Sequence, residues 1–240
     1  MLYRPFGTTG IDVSAIGFGC WEIGGGYGQF EESEVIAAIH RALDVGVNLF
    51  DTAEAYGFGQ SERILGKGLG SRRDEIVLVS KFGISEGGEW PARDGSRKRM
   101  MSSIETTLTA LGTDYLDAYL VHWPDRETPF DETMRGLEDL VQDGKTRFVG
   151  VSNFKADEIA ECMAMRRVDI GQYGYHLFDR RQEKAVFPYC EKHSVGMMAY
   201  GPLAHGLLTG VFDRDTQFDE SDWRSEGGAF NMPLFSKENF

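Results

Sequence analysis

Short apolar runs alternate along the chain with longer segments in which apolar residues recur every three or four positions. The run at 47–51, VNLFD, is apolar at most positions, which is typical of a short strand buried in a sheet. The preceding segment, 31–46, places Val35, Ile39 and Leu43 on one face of a helix and carries acidic residues in its first turn. The pattern therefore predicts a helix followed by a buried strand.

The same alternation continues through most of the sequence. Strands are predicted at 13–19, 47–51, 75–81, 114–123, 146–154, 168–176 and 195–202. Helices are predicted at 31–46, 60–70, 96–112, 131–144, 155–166 and 180–193. Strands that are apolar on both faces and alternate with amphipathic helices indicate a parallel sheet covered by helices.

Glycine positions distinguish between the two common arrangements of such a sheet. A doubly wound sheet that binds a nucleotide would carry a glycine fingerprint after a strand. In GFGCWE, Glu22 stands where the third glycine belongs. In SERILGKG, Ser61 and Gly68 replace the first glycine and the Ser/Thr of a phosphate loop. The sequence therefore favours an α/β fold of the (β/α)8 barrel (TIM barrel) type, as a single domain over residues 1–240.

The predicted barrel is incomplete at its C-terminal end. Each βα unit of such a barrel takes about 30 residues. Seven predicted strands leave the last helix, strand and helix of the barrel outside this sequence. Three explanations stay open: a longer protein of which this is a part, a natural truncation that pairs with another subunit, and a degraded copy that binds little.

Charge and cysteine content narrow the range of functions. The chain has 25 basic and 38 acidic residues and a net charge of −13, so binding to nucleic acid or to an anionic membrane is not expected. The three cysteines form no CxxC pair, and no Cys/His set has the spacing of a metal site. Without a signal peptide or a membrane-spanning apolar run, the sequence predicts a cytoplasmic protein whose partner is a small molecule and whose oligomeric state is open.

Polar residues with catalytic chemistry stand at the ends of the predicted strands. In a (β/α)8 barrel the carboxyl ends of the strands meet at one mouth, where the chemistry takes place. The residues expected there are Asp51 with Tyr56 in the loop behind it, Lys81, His122, Ser152, Asn153, Gln172 and Tyr200. Each of them alone has an ordinary structural explanation, such as a cap, a solvated strand end or core packing. Their joint occurrence at different strand ends predicts an active site.

Tyrosine, lysine and aspartate together can carry out acid catalysis. A phenol titrates near ~10, so it is a weak acid at neutral pH unless a cation stabilises its ionised form. Lys81 would lower the pKa of Tyr56, and Asp51 would hold the ammonium charged and in place. His122 could orient a carbonyl oxygen or share the proton. A phenol that donates a proton suits the reduction of a carbonyl to an alcohol, with a hydride from a cofactor.

Six sequence motifs surround these residues. They are NLFDTAEAYG, SERILGKGL, VSKFG, DYLDAYLVHWPD, GKTRFVGVSNF and AYGPLAHGLLTG. In order and local context they resemble the aldo-keto reductases, in particular bacterial NADPH-dependent members, over residues 2–235. The opening, YRPFGTTGIDVSAIGFG, also resembles the hairpin that closes the bottom of the barrel in that family.

The resemblance implies a role for each matching residue. Tyr56 would donate the proton, with its pKa lowered by Lys81. Asp51 would hold Lys81 and contact the nicotinamide ribose, and His122 would orient the carbonyl. The residues expected to bind the cofactor are Gly19, Cys20, Trp21, Asp51, Ser152, Asn153, Gln172, Tyr200, Gly201, Pro202 and Leu203. The residues expected to contact the substrate are Trp21, Tyr56 and His122.

Within the expected cofactor site, different residues would serve different parts of the cofactor. Ser152, Asn153 and Gln172 would hydrogen-bond the carboxamide, and Tyr200 would stack on the nicotinamide ring. Residues 201–203 would pass the diphosphate, although the first of them is a glycine where a serine is common in the family.

Several positions keep a second interpretation. Cys20 and Trp21 follow the first strand, where either ligand contact or plain packing explains them. The glycine-rich segment 82–95 is expected to be a loop at the mouth. The histidines interpreted as surface or structural residues are His40, His176, His193 and His205.

The sequence thus predicts an NADP-dependent aldo/keto reductase that uses NADPH to reduce an aldehyde or a ketone to an alcohol. The alternatives are a nicotinamide-binding or regulatory barrel without useful turnover and a truncated inactive copy. The intact set of Asp51, Tyr56, Lys81 and His122 argues for the enzyme, and the incomplete C-terminus argues for the alternatives.

Overall fold

The structure consists of a central sheet with helices packed on its outside. The computed structural model describes residues 1–85, 92–228 and 232–239. The strands, in chain order, are β1 (Tyr3–Pro5), β2 (Asp12–Ser14), β3 (Phe18–Gly19), β4 (Leu49–Asp51), β5 (Val77–Phe82), β6 (Ile84–Ser85), β7 (Ala92–Arg93), β8 (Leu116–Val121), β9 (Thr146–Ser152), β10 (Ile170–Gly174) and β11 (Gly196–Tyr200). The α-helices are α1 (Glu32–Asp44), α2 (Gln60–Leu69), α3 (Arg97–Leu111), α4 (Phe130–Gln142), α5 (Ala156–Met165) and α6 (Val186–Lys192).

Seven of these strands form one sheet in which all neighbours are parallel. Their order is β3–β4–β5–β8–β9–β10–β11, so each strand of the sheet lies beside the one that precedes it along the chain. With a helix following most of these strands on the outside, this is the arrangement of a (β/α)8-type barrel. The fold predicted from the sequence is confirmed.

Side chains that alternate in direction along the strands form two apolar cores, one inside the barrel and one between the sheet and the helices. On β5, Val77 and Val79 point into the barrel, whereas Leu78 points out toward the helices. The inner core is small and consists of Phe6, Val13, Leu49, Val77, Val79, Ala118, Leu120, Ile170 and Met198. The outer core is larger and fills the space between the sheet and the helices. By the same alternation, position 81 faces the inside of the barrel.

The N-terminal hairpin covers the bottom of the barrel. β1 and β2 pair antiparallel, and Phe6 and Val13 join the inner core. A methyl group on Gly7 would lie 2.5 Å from the backbone nitrogen of Gly196, where β11 begins. The hairpin therefore packs against the amino end of the sheet, opposite the ends at which catalytic residues were predicted.

The first predicted strand, 13–19, is divided in two by the structure. β2 ends at Ser14 and β3 begins only at Phe18. The hydroxyl of Ser14 donates to the backbone oxygen of Ile16 (2.7 Å), and a side-chain bond of this kind replaces the strand ladder locally. The prediction of one continuous strand was therefore wrong, because a turn joins the hairpin to the barrel.

The predicted helices are confirmed to within about two residues at most ends, with one exception. The sixth, predicted at 180–193, is a 3-10 turn at Arg181–Lys184 followed by α6. Ala185 separates the two parts, because its φ of −140° lies outside the helical range. Of the helices that the structure describes, none is both long and apolar enough to cross a membrane.

The segment 82–95, predicted to be a loop, contains short strands as well as loop. β5 extends to Phe82, and β6 and β7 then pair antiparallel, with Ile84 opposite Arg93. Residues 86–91 lie outside the described residues. The described part of this segment places Ile84 and Arg93 beside the open end of the barrel, where both line its cavity.

The contact between α2 and α3 depends on Gly66. A methyl group at this position would lie 2.4 Å from the backbone oxygen of Leu111, so the two helices would have to separate. We expect Gly66→Ala to destabilise the protein by about 1–3 kcal/mol and to lower the Tm by several degrees in thermal unfolding followed by circular dichroism.

The matched control is Gly136→Ala on α4. The atoms nearest to its methyl group would belong to flexible side chains, those of Met100, at 3.1 Å, and Arg97, at 3.2 Å. We expect little change in Tm for this variant, because such side chains adjust and alanine favours a helix. Equal losses of stability in the two variants would contradict the packing argument.

Candidate active site

Lys81 lies at the centre of the predicted catalytic residues. Its side chain points into the barrel, whereas that of Ser80 faces the helices. The ammonium Nζ donates to Asp51 Oδ2 (2.9 Å), to the backbone oxygen of Thr52 (2.8 Å) and to Tyr56 Oη (3.0 Å). All three protons of the ammonium thus have an oxygen partner, which fixes the position of the charge.

The charge of Lys81 depends on these partners because the side chain is 0% exposed. Burial lowers the pKa of Lys81, and the adjacent Asp51 carboxylate opposes that shift. The second carboxylate oxygen of Asp51, Oδ1, accepts a hydrogen bond from Gln172 Nε2 (2.9 Å). Both carboxylate oxygens of Asp51 are therefore held by hydrogen bonds. The negative charge of Asp51 stabilises the buried positive charge of Lys81.

The phenol of Tyr56 stays protonated at neutral pH. Burial raises the pKa of Tyr56 well above its usual range, and the negative charge of Asp51 adds to the shift. The net shift is opposite to the one predicted from the sequence, in which Lys81 lowers this pKa. The prediction did not count the cost of burying a phenolate, which dominates here because Asp51 largely neutralises Lys81.

His122 lies across from the tyrosine at the mouth of the barrel. Its ring centroid is 5.6 Å from that of Tyr56, and the two rings are nearly perpendicular at 80°. Burial lowers the pKa of His122 well below its usual range, and the positive charge of Lys81 adds to this effect. The imidazole is therefore neutral under ordinary conditions and can donate or accept one hydrogen bond at each nitrogen.

The residues predicted to bind the nicotinamide form one hydrogen-bonded network. Asn153 follows β9 in a left-handed conformation, with a φ of 66° that asparagine tolerates better than most residues. Its Nδ2 donates to the backbone oxygen of His122 (3.1 Å) and to Ser152 Oγ (3.0 Å), and Tyr200 Oη donates to its Oδ1 (2.9 Å). Ser152 Oγ in turn donates to the backbone oxygen of Gln172 (3.0 Å).

A cavity of about 1390 Å³ opens beside these residues and extends along the inner edges of β3 and β11. The predicted site residues that line it are Gly19, Trp21, Asp51, Tyr56, His122, Ser152, Asn153, Gln172, Tyr200, Gly201, Pro202 and Leu203. Lys81 lies directly behind two of them, Asp51 and Tyr56. The structure therefore brings nearly the whole predicted set to one place.

Cys20 is the exception among the predicted cofactor-binding residues. Its side chain is 1% exposed and packs in the outer core beside Ile23. Its backbone N–H donates to the backbone oxygen of Asp51 (2.9 Å), and its backbone oxygen accepts from Ser61 Oγ (2.8 Å). Of the two interpretations given to Cys20, plain packing describes its side chain, because the chain turns it into the core and leaves Trp21 at the cavity. Burial also raises the pKa of the Cys20 thiol.

The cavity has lining residues that the sequence did not suggest. They are Glu22, Tyr27, Arg93, Trp123, His205 and Arg224, among others. His205, interpreted as structural, packs its ring 5.7 Å from that of Trp21, and its Nδ1 lies 3.2 Å from Tyr27 Oη. The sequence offered one indication that His205 lies at the cavity: it stands two residues after the predicted diphosphate segment 201–203. The others stand in loops or at element ends, where apolar periodicity predicts no side-chain position.

The sequence pattern of the Aldo/keto reductase family matches residues 15–238 of this chain. The chain belongs to the aldo/keto reductase family. The coarse function expected from the sequence, hydride transfer between a nicotinamide cofactor and a carbonyl carbon, is thereby confirmed.

Similar proteins cover the chain almost completely. The aldo-keto reductase YhdN of Bacillus subtilis is 38% identical over 240 residues, which is 99% of this chain and 72% of that relative. The NADH-specific methylglyoxal reductase of Escherichia coli is 34% identical over 252 residues, covering 98% of this aldo/keto reductase and 75% of the relative.

Solved structures of family members show the same fold. The glycerol dehydrogenase of Gluconobacter oxydans superimposes with a TM-score of 0.87 at 37% identity, over 99% of this chain and 73% of that structure. An aldo/keto reductase of Klebsiella pneumoniae in complex with NADP and acetate gives a TM-score of 0.72 at 34% identity, over 85% and 70% of the two chains.

The surroundings of His122 predict that its imidazole stays neutral near physiological pH. We expect the imidazole of His122 not to titrate between about pH 8 and about pH 5.5 in proton NMR, because burial and Lys81 disfavour its charged form. His205, whose pKa burial lowers to about 4, should behave in the same way. The spectrum of His122→Gln identifies the signal, and a midpoint near the ordinary value for histidine would contradict the assignment.

Proposed function

We propose that this chain is an NADPH-dependent carbonyl reductase in which Tyr56 donates a proton to the carbonyl oxygen of an aldehyde or ketone. The observation that carries the proposal is the contact of the buried Lys81 ammonium with both Tyr56 Oη (3.0 Å) and Asp51 Oδ2 (2.9 Å). A phenol alone is a weak acid. This contact places a cation beside the phenol, and the cation stabilises the negative charge that develops on Oη as the phenol loses its proton.

The proposed proton transfer uses groups that already hold the right protonation state. The nicotinamide cofactor, when bound, supplies the hydride to the carbonyl carbon. Tyr56 is protonated in the resting protein because burial raises its pKa. As the proton moves to the carbonyl oxygen, negative charge develops on Oη next to Lys81 Nζ. Lys81 therefore stabilises the transition state more than the ground state, where Asp51 balances its charge.

We propose that His122 orients the carbonyl oxygen by donating a hydrogen bond from Nε2. Its Nδ1 is buried and has no hydrogen-bond partner in the described part of the chain. A buried unpaired N–H costs more than a buried lone pair, so the proton of the neutral ring belongs on Nε2. With Tyr56 on its other side, a carbonyl oxygen at this point would receive two hydrogen bonds.

The residues at the cavity fit a nicotinamide cofactor. Within the described residues, the amide oxygen of Gln172 has no side-chain partner, while its nitrogen is held by Asp51. That oxygen is an acceptor for a carboxamide N–H. Tyr200 offers a ring at the edge of the cavity. Gly201 and Leu203 also line it, and each has a backbone N–H that can donate to a diphosphate, whereas Pro202 has none.

Removal of the Tyr56 hydroxyl tests the proposed acid. We expect Tyr56→Phe to lower kcat by about 10²–10⁴-fold, because one general acid contributes that much. The dissociation constant for NADPH, followed by quenching of tryptophan fluorescence, should change by less than about threefold, since the hydroxyl acts on the substrate. Tyr175→Phe is the matched control, because Tyr175 Oη donates to Glu183 and does not line the cavity. Parent-like turnover of Tyr56→Phe would refute the assignment.

We further propose NADPH rather than NADH as the preferred cofactor. The relative from Klebsiella pneumoniae, in complex with NADP, supports this choice, whereas the relative from Escherichia coli is NADH-specific. We expect kcat/KM for NADPH to exceed that for NADH by at least about tenfold, because a bound phosphate forms charge-assisted hydrogen bonds.

Ionic strength provides the control for that comparison. A preference that rests on the extra phosphate should shrink as salt is added, because screening weakens charge contacts at the protein surface. Equal or better kcat/KM with NADH at low salt would refute the choice of NADPH and leave the assignment of Tyr56 untouched.

A further inference from the structure

The ring of Trp21 lies near that of Tyr56, the proposed proton donor, and stacks on a second indole, that of Trp223. Its ring centroid lies 6.4 Å from that of Tyr56 and 5.5 Å from that of Trp223, and the two indole planes are inclined by only 17°. Trp21 and Tyr56 line the cavity, whereas Trp223 is not among its lining residues in the described part of the chain. Trp223 therefore packs behind Trp21 as seen from the cavity.

The position of Trp223 is fixed by its neighbours. Its backbone N–H donates to the backbone oxygen of Gly26 (3.2 Å), and Asp222 forms an antiparallel bridge with Tyr27. Arg224 forms an ion pair with Asp222 (Nη2 to Oδ2, 2.5 Å), and its guanidinium lies 4.9 Å from the centroid of the Tyr27 ring. The segment that carries Trp223 is thus attached at several points to the loop that follows β3.

Two more rings enclose the edges of Trp21. The ring of Tyr27 stands at 88° to it with centroids 5.2 Å apart, and the ring of His205 stands at 84° with centroids 5.7 Å apart. Both rings also pack edge-on against Trp223, at 5.6 Å and 5.0 Å. A side chain with neighbours on its face and its edges has little freedom to move, because protein interiors are close-packed.

We propose that Trp223 is a specificity-determining residue, which acts by holding Trp21 against Tyr56. With this wall fixed, the site accepts small carbonyl compounds and excludes those that carry a fused aromatic group beside the carbonyl. The inference rests on the proposed function of Tyr56 as the proton donor. It adds a residue that touches neither substrate nor the reacting atoms.

The distance between the rings supports the exclusion of large groups. A flat group between Trp21 and Tyr56 would need about 3.5–4.0 Å to each ring, which is a centroid separation of about 7–8 Å. The observed separation is 6.4 Å. A flat group that enters between these two rings would therefore have to displace Trp21, and Trp223 opposes this movement for as long as it stays in place.

Kinetics with two aldehydes of different size test the inference. The ratio of kcat/KM for 2-naphthaldehyde to that for propanal is measured in the parent, Trp223→Ala and Trp223→Phe. We expect Trp223→Ala to raise this ratio about tenfold, mainly through a lower KM for 2-naphthaldehyde, because pocket contacts of this size discriminate by about that factor. Trp223→Phe should stay near the parent ratio, because a ring still supports Trp21.

Phe187→Ala is the matched control for a general loss of packing. Phe187 packs against Tyr175 and the outer core and does not line the cavity. Its removal should leave the ratio unchanged even where the Tm falls. If Trp223→Ala does not fold, Trp223→Leu carries the same expectation, because leucine fills part of the space without a flat ring.

Each outcome decides between the proposals. An unchanged ratio in a folded Trp223→Ala variant, with an active parent, overturns the role of Trp223. If the parent reduces neither aldehyde, the proposed function fails, and binding of 2-naphthalenemethanol measured by calorimetry then decides the inference. Binding that is about tenfold tighter to Trp223→Ala than to the parent supports the role of Trp223, and equal binding overturns it.

Discussion

The burial of one ammonium ion constrains the catalytic end of this barrel. The side chain of Lys81 is fully buried, so each of its protons needs an oxygen partner from the protein. Asp51 on β4 lies opposite Val79 on β5, and Val79 precedes Lys81 by two residues. The long side chain of Lys81 therefore reaches across to the carboxylate of Asp51. The loop after β4 must then close tightly enough to bring Tyr56 to the same nitrogen. Strand register and loop shape are both set by this requirement.

The sequence predicted the parts of the site that strand geometry determines. Asp51 and Gln172 stand at or near the ends of apolar runs, so their convergence follows from the parallel order of the strands. The sequence left ligand contact and packing open for Cys20, because this residue follows directly after β3 and the direction of its side chain depends on how the chain turns there. The shift in the pKa of Tyr56 was predicted in the wrong direction. Desolvation, which raises this pKa, depends on the complete surroundings of the side chain, and no local motif contains that information.

The proposed chemistry and the proposed selectivity come from different parts of the chain. Asp51 and Lys81 stand on the buried strands β4 and β5, and Tyr56, the proposed proton donor, stands in the loop after β4. The wall beside them is built from the loop after β3 and from residues that follow β11, such as His205 and Trp223. These loops pack on one another through rings and through the contact of the Arg224 guanidinium with the ring of Tyr27, so they can vary without any change in the contacts of Lys81.

The division of the apolar interior into two cores has an evolutionary consequence. Most buried apolar side chains lie between the sheet and the helices, and a much smaller set lies inside the barrel, on the same side of the strands as Lys81. Substitutions in the outer set alter the free energy of unfolding while leaving the lysine and its oxygen partners in place. A lineage with this architecture can adapt to a warmer or colder habitat through one face of its sheet and keep its reaction unchanged on the other.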